Sequence, residues 1–324
     1  MKTDSKRMNQ REIAQAVGVS QVAVSLVLRS PQTTRVSAEK KARIIAALRE
    51  NGFLNSAGTK RLWTAGFITD TLQSRNDPFI HEAVCGAEEE LDKSYYNVIF
   101  EVFRGRELNI FKNRQVDGVI VRSGKALEYL LNADFQLPLV LLNCAFPGVN
   151  ADTVMPDNRG GILKMCAALC ERKCKRIAFL GADPAYSPYS CNYSERLSAY
   201  LEFCVRSGST PLWENIHLPV ENSPANTAAV KEAISRWQKL PEPPDAVITV
   251  NGLYGALLAE LFPKLTVGAG DNKLSPGLKG QPRFMLVQDS RAMGGFAAEL
   301  LMRRIDDPKR KHVRLDCEVV LQNF

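Results

Sequence analysis

Apolar residues recur at helical spacing through the first fifty positions and at strand spacing only from Ala65 onward. Asn9 stands where a helix needs a cap, and Glu12 three residues later completes a capping box. Ile13, Ala14 and Val17 form the apolar side of this first helix. Gly18 then permits a tight connection, since a side chain at positive φ would be strained there. Ser20 suits the cap of a second helix, Gln21–Leu28. Val24 and Val27 fall three apart in it and face the first helix, while Gln21, Val22, Ser25 and Arg29 lie on the other side. Ser37 reads as the cap of a third helix, Ala38–Arg49, with Ile44, Ile45 and Leu48 inward and Gly52 as its stop. A short helix, a glycine turn and a Ser-capped second helix make the helix-turn-helix arrangement, whose second helix enters the major groove of DNA.

Beyond Ala65 the pattern alternates. Strands are predicted at 66–69, 97–103, 118–121, 139–142, 177–180, 246–250, 265–267 and 285–287. Helices are predicted at 79–91, around Leu108 and Phe111, and at 160–172, 194–207, 227–237, 254–261 and 291–305. Near-continuous apolar strands separated by helices predict parallel sheets covered on both faces. Such sheets bind ligands at the carboxyl ends of their strands.

Charge sharpens the reading of the head. Residues 1–63 hold twelve Lys and Arg against four Asp and Glu, whereas the rest of the chain is nearly balanced at 30 against 31. Lys and Arg release the counterions condensed on phosphates, so this concentration points to double-stranded DNA as a partner. The alternative is a soluble small-molecule-binding protein whose basic head docks a protein, and salt-dependent retention on duplex DNA separates the two. A length of 324 residues suits two or three domains. No run of 18 apolar residues occurs, which argues against a membrane span, and the start of the chain lacks an apolar signal core, so the expected location is cytoplasmic. Eight scattered Cys are then expected to be reduced.

The residues Ile13-Ala14, Val17-Gly18-Val19-Ser20, Val24-Ser25, Val36-Ser37 and Asn51-Gly52-Phe53 resemble the lactose/galactose-repressor family of bacterial transcription regulators. The likeness continues through Asp77-Pro78-Phe79, Val116-Asp117-Gly118-Val119-Ile120, Leu137-Pro138-Leu139-Val140, Asp157-Asn158, Ser194-Glu195-Arg196-Leu197 and Gln288-Asp289 with Met293-Gly294. It implies an α/β fold class: an N-terminal all-α helix-turn-helix domain, a hinge, then two doubly wound α/β subdomains of periplasmic-binding-protein type with a cleft between them. The expected boundaries are 1–54 for the head, 55–64 for the hinge and 65–324 for the effector-binding and dimerisation core. Within the core, the N-subdomain is expected at about 65–157 and 288–316, and the C-subdomain at about 158–287 and 317–324. Three chain crossings are expected, near 156–159, 283–289 and 316–321. The implied role is a sequence-specific regulator, a repressor, acting as a homodimer whose operator affinity responds to a carbohydrate-like effector.

Candidate site residues follow. Gln21 suits bidentate bonding to adenine and Val22 suits contact with a thymine methyl, so both are expected to read bases. Ser20, Ser25, Arg29, Lys60 and Arg61 are expected on phosphates. The resemblance implies that Leu62 wedges into the minor groove. The hinge departs from the family's usual Pro-Asn start with Asn55-Ser56, and Gly58 inside it costs a helix about 1 kcal/mol. Leu26 stands where the family often has a basic residue, and Gly252 where an acidic one is common.

Asp157, Arg196, Asn251 and Asp271 lie at strand ends or helix starts and match positions where the family contacts its effector. Carboxylates accept from vicinal hydroxyls and Arg donates in a fixed fork. Phe79, with Trp213, could wall the site. Plainer readings stand beside these. Asp157 and Asp271 also suit helix caps or turns, Asn251 a turn, Arg196 an ion pair that braces the hinge, and Phe79 and Trp213 the core. Cys166, Cys170 and Cys174 share one helix face, and buried thiols behave as small apolar groups. The chain has no Gly-x-Ser-x-Gly elbow, phosphate loop or His-rich metal motif, and Gly268-Ala269-Gly270 is too short for a dinucleotide fingerprint. Catalysis, a cofactor and a metal are not expected.

Overall fold

The computed structural model describes residues 8–29, 35–54, 62–69, 78–112, 115–133, 135–146, 148–183, 191–216, 224–272 and 277–324. The head is three helices: α1 (Gln10–Val17), α2 (Gln21–Arg29) and α3 (Ala38–Glu50). The Asn9 side chain accepts from the N–H groups of Arg11 and Glu12 at 3.0 Å each, and the Glu12 carboxylate closes the capping box on the Asn9 N–H. Gly18 adopts φ 69°, and the Ser20 hydroxyl accepts from the Ala23 N–H at 3.2 Å. Ser37 departs from its expected role: it occupies the cap position of α3 but its side chain makes no capping bond. The far end of α3 is tied instead. Asn51 donates through Nδ2 to the Ala47 carbonyl and accepts the Met8 N–H, joining the end of α3 to the start of α1. Ile13, Val24, Val27, Ile44, Leu48 and Leu54 fill the small core between the helices.

The rest of the chain builds two six-stranded sheets. The first subdomain begins with β1 (Thr64–Thr69), α4 (Pro78–Asp92), β2 (Asn97–Val102), α5 (Asn109–Lys112), β3 (Gly118–Arg122), α6 (Gly124–Asn132), β4 (Leu139–Leu142) and β5 (Asp152–Pro156). The chain then crosses at Asp157 into α7 (Asn158–Glu171), β6 (Ile177–Ala182), α8 (Cys191–Ser207), β7 (Trp213–Ile216), α9 (Pro224–Gln238), β8 (Ala246–Thr249), α10 (Gly252–Leu261), β9 (Thr266–Ala269) and β10 (Phe284–Gln288). It returns at Asp289 for α11 (Ser290–Asp306) and β11 (Arg314–Cys317), and crosses a third time at Glu318 to end in β12 (Val319–Asn323). The first sheet has the order β11-β5-β4-β3-β1-β2 and is parallel throughout. The second has the order β12-β10-β9-β8-β6-β7, with only the β10–β12 pair antiparallel. Strands β3, β6 and β8 are almost wholly buried, as their unbroken apolar runs require. Trp213 lies on edge strand β7 and is exposed, rather than in the core. No helix among the described residues is long and apolar enough to cross a membrane.

Two contacts fix the first subdomain, although its parts are distant in sequence. Helices α4 and α11 pack backbone to backbone through small residues. A Cβ on Gly86 would stand 1.9 Å from the Arg291 carbonyl oxygen, and one on Gly294 would stand 1.9 Å from that of Ala83. Below them, Arg304 of α11 donates through Nε to Asp152 of β5 at 2.9 Å, and both side chains are buried. Its other nitrogens reach the carbonyls of Pro308, Arg310 and Lys311, while Asp152 also accepts the Val313 N–H. This one ion pair organises the turn that leads into β11.

The close helix crossing yields a stability prediction. Gly294→Val forces carbon into a space already held by backbone, so the helices must part. A loss of about 3 kcal/mol is expected, seen as a lower denaturant midpoint at unchanged slope.

Candidate functional site

The outer face of α2 matches its sequence pattern. Gln21 and Val22 are exposed, whereas Val24 and Val27 are buried against α1 and α3. Ser20 is exposed with its hydroxyl engaged in the cap, and Ser25 is half-buried. The Arg29 side chain and residues Lys60 and Arg61 lie outside the described residues.

Leu62 is partly exposed, and its backbone is held firmly. Its N–H donates to both carboxylate oxygens of Asp117, at 2.9 and 2.8 Å, and the Trp63 N–H donates to Oδ2 at 2.8 Å. Trp63 takes φ 57°, a left-handed value that is unusual for a bulky residue, and packs edge-on against Tyr96. Burial pushes the Asp117 carboxyl above its ordinary range, and the Leu62 and Trp63 N–H bonds work against that. No role was expected for Asp117 from the sequence. Its signal was an acid directly before an apolar buried strand, in Val116-Asp117-Gly118. Asp117→Ala leaves two backbone donors without their acceptor, and a loss of about 1–3 kcal/mol is expected. Asp117→Asn keeps an acceptor oxygen and should lose less; equilibrium denaturation of the two variants checks the order.

The carboxyl ends of the two sheets face each other. Asn143, directly after β4 and at φ 53°, accepts from Asn192 Nδ2 near the start of α8, through Oδ1 at 2.9 Å and its carbonyl at 3.2 Å. Arg314 of β11 takes Glu195 of α8 in a fork, at 2.6 and 3.0 Å. Between them stands Asn158, the first residue of α7, which is buried. Its Nδ2 donates to Asn192 Oδ1 at 2.7 Å and to Glu195 at 2.8 Å, and its Oδ1 accepts from Arg196 Nε at 2.8 Å.

Arg196 is 2% exposed. It donates through Nη1 to the Val250 carbonyl at 2.6 Å and to Asp271 at 3.0 Å. Asp271 also accepts the Gly252 N–H at 2.8 Å. Arg196, Asn251 and Asp271 are therefore gathered at the carboxyl ends of β8 and β9. Asp157 caps α7 by accepting the Gly160 N–H at 2.7 Å, and Asn251 caps α10 through Tyr254 at 2.9 Å. Each cap occupies one polar atom of its side chain. Phe79 belongs to the first subdomain, partly buried on its core, with the Arg122 guanidinium over its ring. The structure thus brings Arg196 and Asp271 into contact, and Asp157 stands at the crossing, one residue before the Asn158 that Arg196 reaches.

Cys166 is buried, Cys174 half-buried and Cys170 exposed. Burial pushes all three thiols up, away from the reactive thiolate. Among the described residues, no group of three or more His, Cys, Asp and Glu gathers as a metal site.

Burial acts to raise the Glu195 carboxyl, but the bonds from Arg314 and Asn158 outweigh it and hold the group below the ordinary range. A lowered carboxyl contributes stability above its unfolded value, near 4.3, and that contribution fades as pH falls through the lower folded value. The expected result is that stability falls more steeply below about pH 4.3 in the wild type than in Glu195→Gln, measured by thermal melts across pH.

A three-helix head and two doubly wound sheets with facing carboxyl edges define the fold class: a helix-turn-helix head followed by a periplasmic-binding-protein-like core. Residues 10–56 match the sequence model of the bacterial regulatory proteins, lacI family. The ribose operon repressor of Haemophilus influenzae is 25% identical over 328 residues, covering 95% of each chain. Among solved structures, a complex of the transcriptional regulator CelR with cellobiose aligns at a TM-score of 0.62 and 22% identity, covering 98% of each chain. The lac repressor dimer bound to operator and the anti-inducer ONPF aligns at 0.63 and 18% identity, again over 98% of each. The family match thus falls on the helix-turn-helix head, and the likeness to the ribose operon repressor runs through head and core alike.

Proposed function

We propose that this chain is a sequence-specific DNA-binding transcription regulator, a repressor, that works as a homodimer in the cytoplasm and whose operator affinity a sugar-like effector changes. One observation carries the reading: the helix-turn-helix head, with Gln21 and Val22 exposed on its second helix, leads into a core whose two sheets face each other across their ligand-binding edges. In this reading Gln21 and Val22 meet bases, and Ser20, Ser25, Arg29, Lys60 and Arg61 meet phosphates. Leu62 enters the minor groove at the centre of the site. The role is binding rather than catalysis.

The effector is held in the cleft by Asp157, Arg196, Asn251 and Asp271, with Phe79 on the opposite wall. Arg196 then has a double part. It orients Asp271 and ties that carboxylate to Asn158 at the crossing, so a ligand that draws on Asp271 also disturbs the contact between subdomains. A ligand shifts DNA affinity only if it binds the DNA-competent and DNA-incompetent arrangements unequally. The bonds through Asn158, Asn192 and Glu195 are what would differ between them.

Selection from random duplexes, repeated with a panel of sugars, tests this. The expected outcome is a roughly palindromic site and retention that falls steeply with salt. Exchanging Gln21 and Val22 for another pair should change the selected sequence. Absence of retention on duplex DNA at low salt would instead support a head that docks a protein.

A further inference from the structure

Arg122 is the last residue of β3, paired with Thr69 on one side and one strand away from the end of β4, where Asn143 meets α8 across the cleft. It therefore stands on the edge that faces the second subdomain. Its guanidinium carbon lies 5.5 Å from the centre of the Phe79 ring, so the ring covers one face of the planar group. Its Nε is shut away from solvent and has no hydrogen-bond partner among the described residues.

This sets Arg122 apart from the other inward arginines. Arg196 is buried with Asp271, the Val250 carbonyl and the Asn158 amide oxygen as acceptors, and Arg304 with Asp152 and three carbonyls. Among the described residues, Arg176 and Arg310 each leave one nitrogen without an acceptor, but they precede the amino ends of β6 and β11. A guanidinium donates in its own plane. With its face against Phe79, Arg122 offers its edge, and the open donor on that edge is Nε–H.

We propose that the effector carries an oxyanion, a carboxylate or a phosphate, which Arg122 takes side-on through Nε–H and one Nη–H. This rests on the proposed effector role of the cleft and gives the ligand a chemical class. A neutral hydroxyl would satisfy the donor but bring no negative charge to oppose that of the guanidinium. A planar oxyanion matches two parallel N–H groups, a geometry Lys cannot reproduce. The hydroxyl-bearing part of the same ligand would extend toward Arg196, Asn251 and Asp271. The site would thus take a sugar acid or a sugar phosphate in preference to the parent sugar.

The test uses the full chain and matched triads for glucose, galactose and ribose: the neutral sugar, its aldonate and its phosphate ester. Binding is measured by calorimetry and thermal shift, with retention on duplex DNA followed for the wild type in the same series. The expected result is that an anionic member of at least one triad binds more tightly than its neutral parent. Arg122→Gln should weaken that binding about 10- to 100-fold and bring it close to the neutral sugar, and Arg122→Lys should fall between. The unliganded melting transition of each variant confirms that it is folded. Aldonate against phosphate ester then tells which oxyanion is taken. Tighter binding of a neutral sugar, equal anion binding by wild type and Arg122→Gln, or no response to any triad overturns the inference. Failure of the wild type to bind duplex DNA would overturn the proposed function separately.

Discussion

The core depends on the full commitment of a single amide. Asn158 is the first residue after the chain leaves the first sheet, and both its donors and its acceptor are used. One side chain thereby fixes Asn192 and Glu195 of α8 and aligns Arg196. Through these it reaches Asn143 and Arg314 in the first subdomain. A buried amide with all its partners is directional in a way that an apolar contact is not. The cleft residues sit where they do because this network sets the angle of α8 against the crossing. Asp157, capping α7 immediately before it, stiffens the same point.

The close approach of α4 and α11 is a second constraint, and it is of another kind. Its specificity comes from absent side chains at Gly86 and Gly294 rather than from polar bonds. The Arg304–Asp152 pair then ties α11 to the sheet beneath. Such a pair adds little stability over an apolar replacement, because both charges lose their hydration. Its effect here is positional: Arg304 gathers three carbonyls of the following turn, which directs β11 alongside β5.

The head and the apolar strands were legible in the sequence because their signals are local. Caps, a glycine turn and helical spacing needed no tertiary information, and β3, β6 and β8 announce themselves as unbroken apolar runs. Elements defined by distant partners were hidden. Strand β5 reads Asp-Thr-Val-Met-Pro, and its first residue is buried only because Arg304 arrives 152 residues later. Edge strand β7 and helix α6 carry weak patterns, and neither was expected. Ser37 has the right residue type for a cap, yet its hydroxyl takes no part and Asn51 secures the other end of α3. Within the cleft, residue types and places were readable, but the partners of Arg196 and the anchoring by Asp117 came only with the fold. Arg122 could not be singled out from its strand, since what distinguishes it is an Nε without a hydrogen-bond partner among the described residues.

The three crossings also order events during synthesis. The second sheet except β12 is complete in the chain once Gln288 has been made, with its helices already in place. The first sheet, although it starts earlier, lacks β11 until Cys317 has emerged, and α4 lacks its close-packed neighbour until α11 is finished. The earlier-born subdomain is thus the later one to close. Meanwhile the small-residue face of α4 and the open edge of β5 are uncovered on the ribosome, a stage at which misassembly competes with folding. A chain truncated at residue 289 would keep the head and most of the second sheet, yet lack the helix that seals the first.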